Sequence, residues 1–241
     1  MKNALIRFFR MVIGLFICAV GITMLIRSNL GLSPWEAFHQ SLTVHFSFLT
    51  MGRASIITGF AVLIVSMILG EMPGIGTIFN IVTVGIYTDI MLENNIIPVA
   101  DNFFAGLIMI CASFFISAYG MYLYIGASLG SGPRDALMIA LRKKTPLSVG
   151  VVRAIVEISI LIVAFILGGF IGIGTVIAAF GLPYAIQIVF SVFSFDVKTV
   201  KQDSLIDTVR NISTFFKNRK SGLPQDIEPG TAPENSDSAE Q

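Results

Sequence analysis

Residues 63–77 read LIVSMILGEMPGIGT and residues 161–175 read LIVAFILGGFIGIGT, with ten of fifteen positions identical at a constant offset of 98. A second pair of blocks agrees at an offset of 99. Leu30-Gly31-Leu32-Ser33-Pro34-Trp35-Glu36-Ala37 stands against Leu129-Gly130-Ser131-Gly132-Pro133-Arg134-Asp135-Ala136, and Glu36 faces Asp135. Apolar composition alone yields chance Leu and Ile matches. It does not align Gly70, Gly74, Gly76 and Thr77 with Gly168, Gly172, Gly174 and Thr175. The chain is a tandem duplication of a unit of about 98 residues.

Composition decides the solvent. Of 241 residues, 54% are hydrophobic and 13% charged, and the mean hydropathy is +0.81. A soluble domain carries roughly 25% charged residues, so part of this surface must face lipid. A net charge of +1 with no dense basic block excludes nucleic acid as a partner. Cys18 and Cys111 lie in apolar runs and form neither a metal-ligand spacing nor a disulfide framework. His39 and His45 are too few and too poorly spaced for a metal site, and nothing in the chain calls for a cofactor.

Six segments supply the roughly 20 apolar residues that a spanning helix needs: 8–27, 52–70, 75–93, 103–125, 148–168 and 172–195. The first follows Lys2, Arg7 and Arg10 and could imitate a signal peptide, but no small-residue cleavage site follows it. Segments 34–48 and 133–143 are helical in pattern and too short to span. Ser33-Pro34-Trp35-Glu36 has the form of a capping box with Pro at the first helical position, and Gly132-Pro133-Arg134-Asp135 repeats it with Gly as the cap. Two placements fit such helices: re-entrant and buried in protein, or amphipathic on the membrane surface.

Charge gives orientation. Lys2, Arg7 and Arg10 precede the first span; Arg134, Arg142, Lys143 and Lys144 lie between the fourth and fifth; Lys198, Lys201, Arg210, Lys217, Arg219 and Lys220 follow the sixth. With six spans these regions share one side, which the positive-inside rule makes cytoplasmic, and both termini lie there. Arg27 and Arg53 stand against the rule. Three spans per copy is an odd number, so the copies enter the membrane from opposite sides. The expected fold is an all-α polytopic membrane protein, a 3+3 inverted-topology repeat with two short Pro-started helices. Residues 1–98 and 99–196 are the repeats, 197–220 a cytoplasmic amphipathic helix, and 221–241 a disordered tail.

The blocks GLSPWEAFHQ, LGEMPGIGT, GSGPRDALMIAL, VGVVRAIVE and GGFIGIGT resemble those of the YczE/YyaS/YitT-type bacterial integral membrane proteins, the YczE branch most closely. The resemblance covers roughly residues 8–195 and implies a multi-spanning protein of the bacterial inner membrane. It brings no catalytic residue with it.

Glu157 lies about nine residues into the fifth span, and its counterpart in the first copy is Gly59. A carboxylate at mid-helix in a membrane costs about 2.5–3.5 kcal/mol on insertion scales, so it needs a partner or a cavity. Arg153, one turn earlier, is either that partner or a fellow substrate ligand. Glu36 and Asp135 either cap the short helices or reach a midplane site in company with Trp35 and Arg134. Trp35 is otherwise an interfacial anchor, and Asp89 belongs at the interface. Gly74, Gly76, Thr77 and Gly172, Gly174, Thr175 read as structural hairpins. No Ser/His/Asp set or metal cluster points to an enzyme. The pattern fits transport of a small molecule or ion by alternating access, with a non-transporting membrane scaffold as the alternative; the lipid bilayer is a partner in both, and a homo-oligomer is compatible with either. A polar cavity reached by Glu157, Glu36 or Asp135 separates the two.

Overall fold

The computed structural model describes residues 2–195 except Ser131. The segments 197–220 and 221–241, expected as a surface helix and a tail, lie outside the described residues. Eight helices run in order: α1 (Lys2–Arg27), α2 (Pro34–His45), α3 (Met51–Ile68), α4 (Ile75–Glu93), α5 (Phe103–Ile125), α6 (Pro133–Lys144), α7 (Val149–Ile166) and α8 (Ile173–Val192). Among the described residues, α1, α3, α4, α5 and α8 are long and apolar enough to cross a membrane. The 18-residue α7, which carries Arg153 and Glu157, is outside that set of five. Large apolar side chains on the outside, such as Ile68, Phe104, Phe165 and Phe180, give the bundle a lipid-facing shell. The chain is a polytopic helical membrane protein, and the bilayer is part of its environment.

Two helices form the centre. α1 and α5 pack over their whole length with opposite chain directions. Gly14 meets Gly120 and Tyr124, Gly21 meets Ser113 and Ser117, and the backbone of Ser28 meets Gly106. Gly120 closes to 2.7 Å from the backbone oxygen of Gly14, measured from the point where its Cβ would stand. Such close approach is how helices associate in lipid, where no hydrophobic force drives them together. Around this pair, α4 packs on α1 and α8 on α5, while α2 packs on α7 and α6 on α3. Each short helix therefore leans on the other copy's middle long helix.

The hairpins explain the exchange. The first N–H groups of a helix have no partner inside it. In α4, Gly76 N–H donates to the carbonyl of Leu129 at 2.7 Å; in α8, Gly174 N–H donates to the carbonyl of Leu30 at the same distance. The carbonyls belong to the opposite copy in each case. The residue after each carbonyl is a glycine with positive φ, Gly31 at 128° and Gly130 at 138°, a region that L side chains rarely enter. Thr77 Oγ1 accepts from Gly74 N–H at 3.3 Å and Thr175 Oγ1 from Gly172 N–H at 3.1 Å. Both threonines are buried. Left-handed residues also recur in register: Asn29 with Ser128, and Asn95 with Ser194.

Several exposed-looking charges turn out to bond helix ends. Arg27, set against the positive-inside pattern, donates to the Leu92 carbonyl at 2.6 Å and to Asn95 Oδ1 at 2.8 Å, at the C-terminus of α4. Arg7 donates to the carbonyls of Ala127 and Ser128 after α5. Asp89 accepts from Gly52 N–H at 2.7 Å and from the Thr50 hydroxyl, at the start of α3.

Candidate functional site

The N-terminal turns of α2 and α6 meet inside the bundle. Ser33 and Gly132 hold extended backbone before the Pro that opens each helix, and proline's fixed φ suits that position. The capping box expected at Ser33 does not form, since the Ser33 side chain makes no cap hydrogen bond. The Glu36 carboxylate is engaged across the copy boundary instead: Arg134 Nη2 donates to Glu36 Oε1 at 3.0 Å. The same guanidinium lies over the Trp35 ring, 4.9 Å from its centroid. Trp35 and Arg134 occupy equivalent places in the two copies, so the repeats touch through corresponding residues.

A cavity of ≈ 190 Å³ opens at this junction, lined by residues of all eight helices. Every residue expected at a site from the sequence reaches it: Trp35, Glu36, Arg134, Asp135, Arg153 and Glu157. Arg153 Nε donates to Glu157 Oε1 at 2.9 Å, the one-turn pair read from the spacing. Their first-copy counterparts Ser55 and Gly59 line the cavity as well. The hairpin residues Gly74, Gly76, Thr77, Gly172, Gly174 and Thr175 do not line it; they hold α4 and α8 at the copy boundary.

Asp135 differs from the other two carboxylates. Among the described residues it has no basic group within ion-pair distance, and its hydrogen-bond partner is the Tyr124 hydroxyl, which donates to Oδ2 at 3.4 Å. Burial pushes its pKa up, offset only in part by the charges of Arg153 and Arg134. Burial works on Glu36 in the same direction, but the Arg134 guanidinium beside it holds its carboxyl below the usual range. His39 is pushed down to about 3, first by burial and then by Arg134, against the pull of Glu36. It is a neutral imidazole at physiological pH.

Polar lining residues that the sequence reading did not place at a site include His39, Asn80, Thr88 and Tyr124. They come from three different helices, α2, α4 and α5, and only the fold brings them to one place. A Cβ on Gly132 would lie 3.3 Å from the Tyr124 hydroxyl, 3.6 Å from Asp135 Oδ2 and 3.9 Å from Asn80 Nδ2, so these groups converge on the space that the glycine leaves. Trp35 is 4% exposed and therefore sits inside rather than anchoring an interface; among the described residues its indole N–H has no hydrogen-bond partner, and neither does the Thr88 hydroxyl. Among the described residues, no group of three His, Cys, Asp or Glu side chains is arranged to hold a metal ion.

A helical bundle that faces lipid and encloses a charged cavity defines an integral membrane protein with an internal polar site. The chain belongs to the family described as "Family of unknown function (DUF6198)", whose model matches residues 5–191. It is 38% identical over 185 residues to the uncharacterized membrane protein YczE of Bacillus subtilis (strain 168), covering 73% of this chain and 85% of that relative. An uncharacterized protein of Haemophilus influenzae Rd is 32% identical over 173 residues, covering 72% of this chain and 78% of its own length. The uncharacterized protein YyaS of Bacillus subtilis (strain 168) is 29% identical over 168 residues, 68% of this chain and 83% of that protein. No solved structure matches the chain.

Proposed function

We propose that the protein transports a small solute by alternating access across the bacterial cytoplasmic membrane, as six spans in a 3+3 inverted repeat with both termini cytoplasmic. α7 is the sixth span in this reading. Its Arg153 and Glu157 face the cavity as a bonded pair, and its outer face carries Ile155, Ile158, Ile162 and Ile166. The antiparallel course of α1 and α5, equivalent helices of the two copies, is what an axis in the membrane plane produces. The contacts sort by side as well. In this topology Arg7, Glu71, Ser128 and Lys143 are cytoplasmic, and Arg7 bonds Ser128 while Lys143 pairs with Glu71. Arg27, Gln40, Asn95 and Phe170 are then outside, and Arg27 bonds Asn95 while Gln40 Oε1 accepts from Phe170 N–H.

The observation that carries the proposal is the cavity at the meeting of the two short helices, where both copies contribute polar groups. A scaffold has no use for such a space, and buried charges inside a membrane are costly enough to mark substrate or ion paths. The opposed copies can exchange conformations of nearly equal energy and open this site to either side.

Two measurements test it. In a background without Cys18 and Cys111, cysteines at Ile96 and Lys144 are expected to label from opposite sides of the membrane. Labelling from one side removes the inverted repeat. Purified protein in sealed vesicles is expected to exchange radiolabelled small solutes from a broad panel faster than empty vesicles, and a correctly inserted protein with no flux in either direction overturns transport.

A further inference from the structure

The cavity lining holds groups of opposite kind that are poorly met among the described residues: the Trp35 indole N–H and the Thr88 hydroxyl have no partner, and Asp135 has a long bond from Tyr124 and no ion-pair partner. The first copy supplies a donor: the Trp35 indole N–H, 4% exposed and without an acceptor. The second supplies an anion: Asp135, whose neighbouring guanidinium groups are already bonded, Arg134 to Glu36 and Arg153 to Glu157. An occupant that met only one of these would leave Trp35 without an acceptor or Asp135 without a cation, which weakens binding by about tenfold. The occupant therefore needs an acceptor end and a cationic donor end.

Charge balance points the same way. Among the described residues, three carboxylates and two guanidinium groups line the cavity, an excess of one negative charge. The N-terminal turns of α2 and α6 both open onto it, and each helix N-terminus contributes about half a positive charge. These contributions cancel, so a ligand with no net charge is matched to the site. The positive end of such a ligand has Asp135 to pair with. α8 adds a further acceptor: Pro183 lies inside it and has no N–H to give the Ala179 carbonyl one turn earlier, and both residues line the cavity. The negative end has the Trp35 N–H and the first turn of α2. His39, neutral and buried beside Glu36, adds no charge to the account.

We propose that the cavity binds a small zwitterion of the amino-acid type, with its ammonium group on Asp135 and its carboxylate toward Trp35 Nε1 and the start of α2. This deepens the transport reading and rests on it only for the claim that the bound solute moves.

The site carries its own reporter, since Trp35 is the single tryptophan of the chain. Full-length protein in lipid nanodiscs is titrated at neutral pH with glycine, L-alanine, γ-aminobutyrate and glycine betaine, and its tryptophan emission is recorded. Ethylammonium, which lacks the carboxylate of alanine, and propionate, which lacks the ammonium, serve as half-ligands. At least one zwitterion is expected to give a saturable change, with an apparent affinity tenfold or more above either half-ligand; one lost buried partner predicts about that factor. Asp135→Asn is expected to weaken the zwitterion by at least about tenfold while the emission of the free protein stays in place. Asp135→Glu should retain binding. Should Asp135→Asn fail to fold, the comparison of whole and half ligands on the unaltered protein decides by itself. Ethylammonium or propionate binding as tightly as the zwitterion overturns the proposal, and so does silence from all four zwitterions. Vesicle counterflow separates the two readings. Zwitterion binding without exchange leaves this site standing and removes transport. Exchange of a purely anionic or cationic solute, with no zwitterion response, leaves transport standing and removes this site.

Discussion

α2 and α6 have one backbone plan and opposite electrostatic fates. Each has 12 residues, begins with proline after an extended residue, and carries a carboxylate at the third position. In α2 that carboxylate is Glu36, buried and neutralised by a guanidinium from the other copy. In α6 it is Asp135, which among the described residues has a long bond from a tyrosine hydroxyl and no ion pair. The duplication thus repeats the parts that position the site, namely the glycines, prolines and hairpin threonines. It differs in the side chains that face the cavity. Symmetry of the frame and asymmetry of the lining are separable, and variants can pull them apart.

The largest effect is expected at Arg134. Arg134→Met strands the buried Glu36 charge, and breaking a buried pair on one side costs about 3–5 kcal/mol. Partial exposure of the Arg134 side chain, 36%, puts the expectation at the low end of that range. Thermal unfolding in detergent measures it. Glu36→Gln combined with Arg134→Met should recover most of the loss, because matched removal leaves no orphan. No recovery would mean that Arg134 acts mainly by packing on Trp35.

Next comes the frame. Gly31→Ala and Gly130→Ala each force a side chain into positive φ, at about 1–2 kcal/mol. The new Cβ would also press on backbone, at 2.7 Å from Gly172 N and 2.9 Å from Gly74 Cα respectively. Losses of about 2 kcal/mol or more, similar for the two, are expected in the same assay. A large difference between them would break the claim that the frame is symmetric.

The smallest effect is expected where the pair is local. Arg153 and Glu157 satisfy each other on one helix, and both are partly exposed to the cavity. Replacing them together, Arg153→Met with Glu157→Leu, should change stability by less than about 1 kcal/mol. If the pair is only structural, solute exchange in vesicles persists in this double variant. Lost exchange with unchanged stability assigns the pair to the transport step.

Such differences also explain what could be read without coordinates. The segments 75–93 and 103–125 match α4 and α5 end to end, and the Pro-started segments match α2 and α6 to within three residues, because apolar length and Gly/Pro punctuation are local signals. The Arg153–Glu157 pair was legible for the same reason, being one turn apart. The Arg134–Glu36 pair was not, because 98 residues separate its members and only the meeting of two helix ends joins them. The capping box assigned to Ser33 does not form: its hydroxyl makes no cap bond, and Glu36 takes a charge-assisted bond from the Arg134 guanidinium. Tyr124, Asn80, Thr88 and His39 carried no periodic signal at all.

The two crossed hydrogen bonds, Gly76 to Leu129 and Gly174 to Leu30, bear on how the chain is made. As the first repeat leaves the ribosome and enters the bilayer, the start of α4 has an N–H whose acceptor, more than fifty residues on, is still to be synthesised. A backbone donor left open at a buried helix start is unfavourable, so the first repeat is expected to settle only when the second arrives. Biogenesis then has a built-in checkpoint. Either repeat expressed alone should be degraded, and the two halves supplied as separate chains should rescue each other.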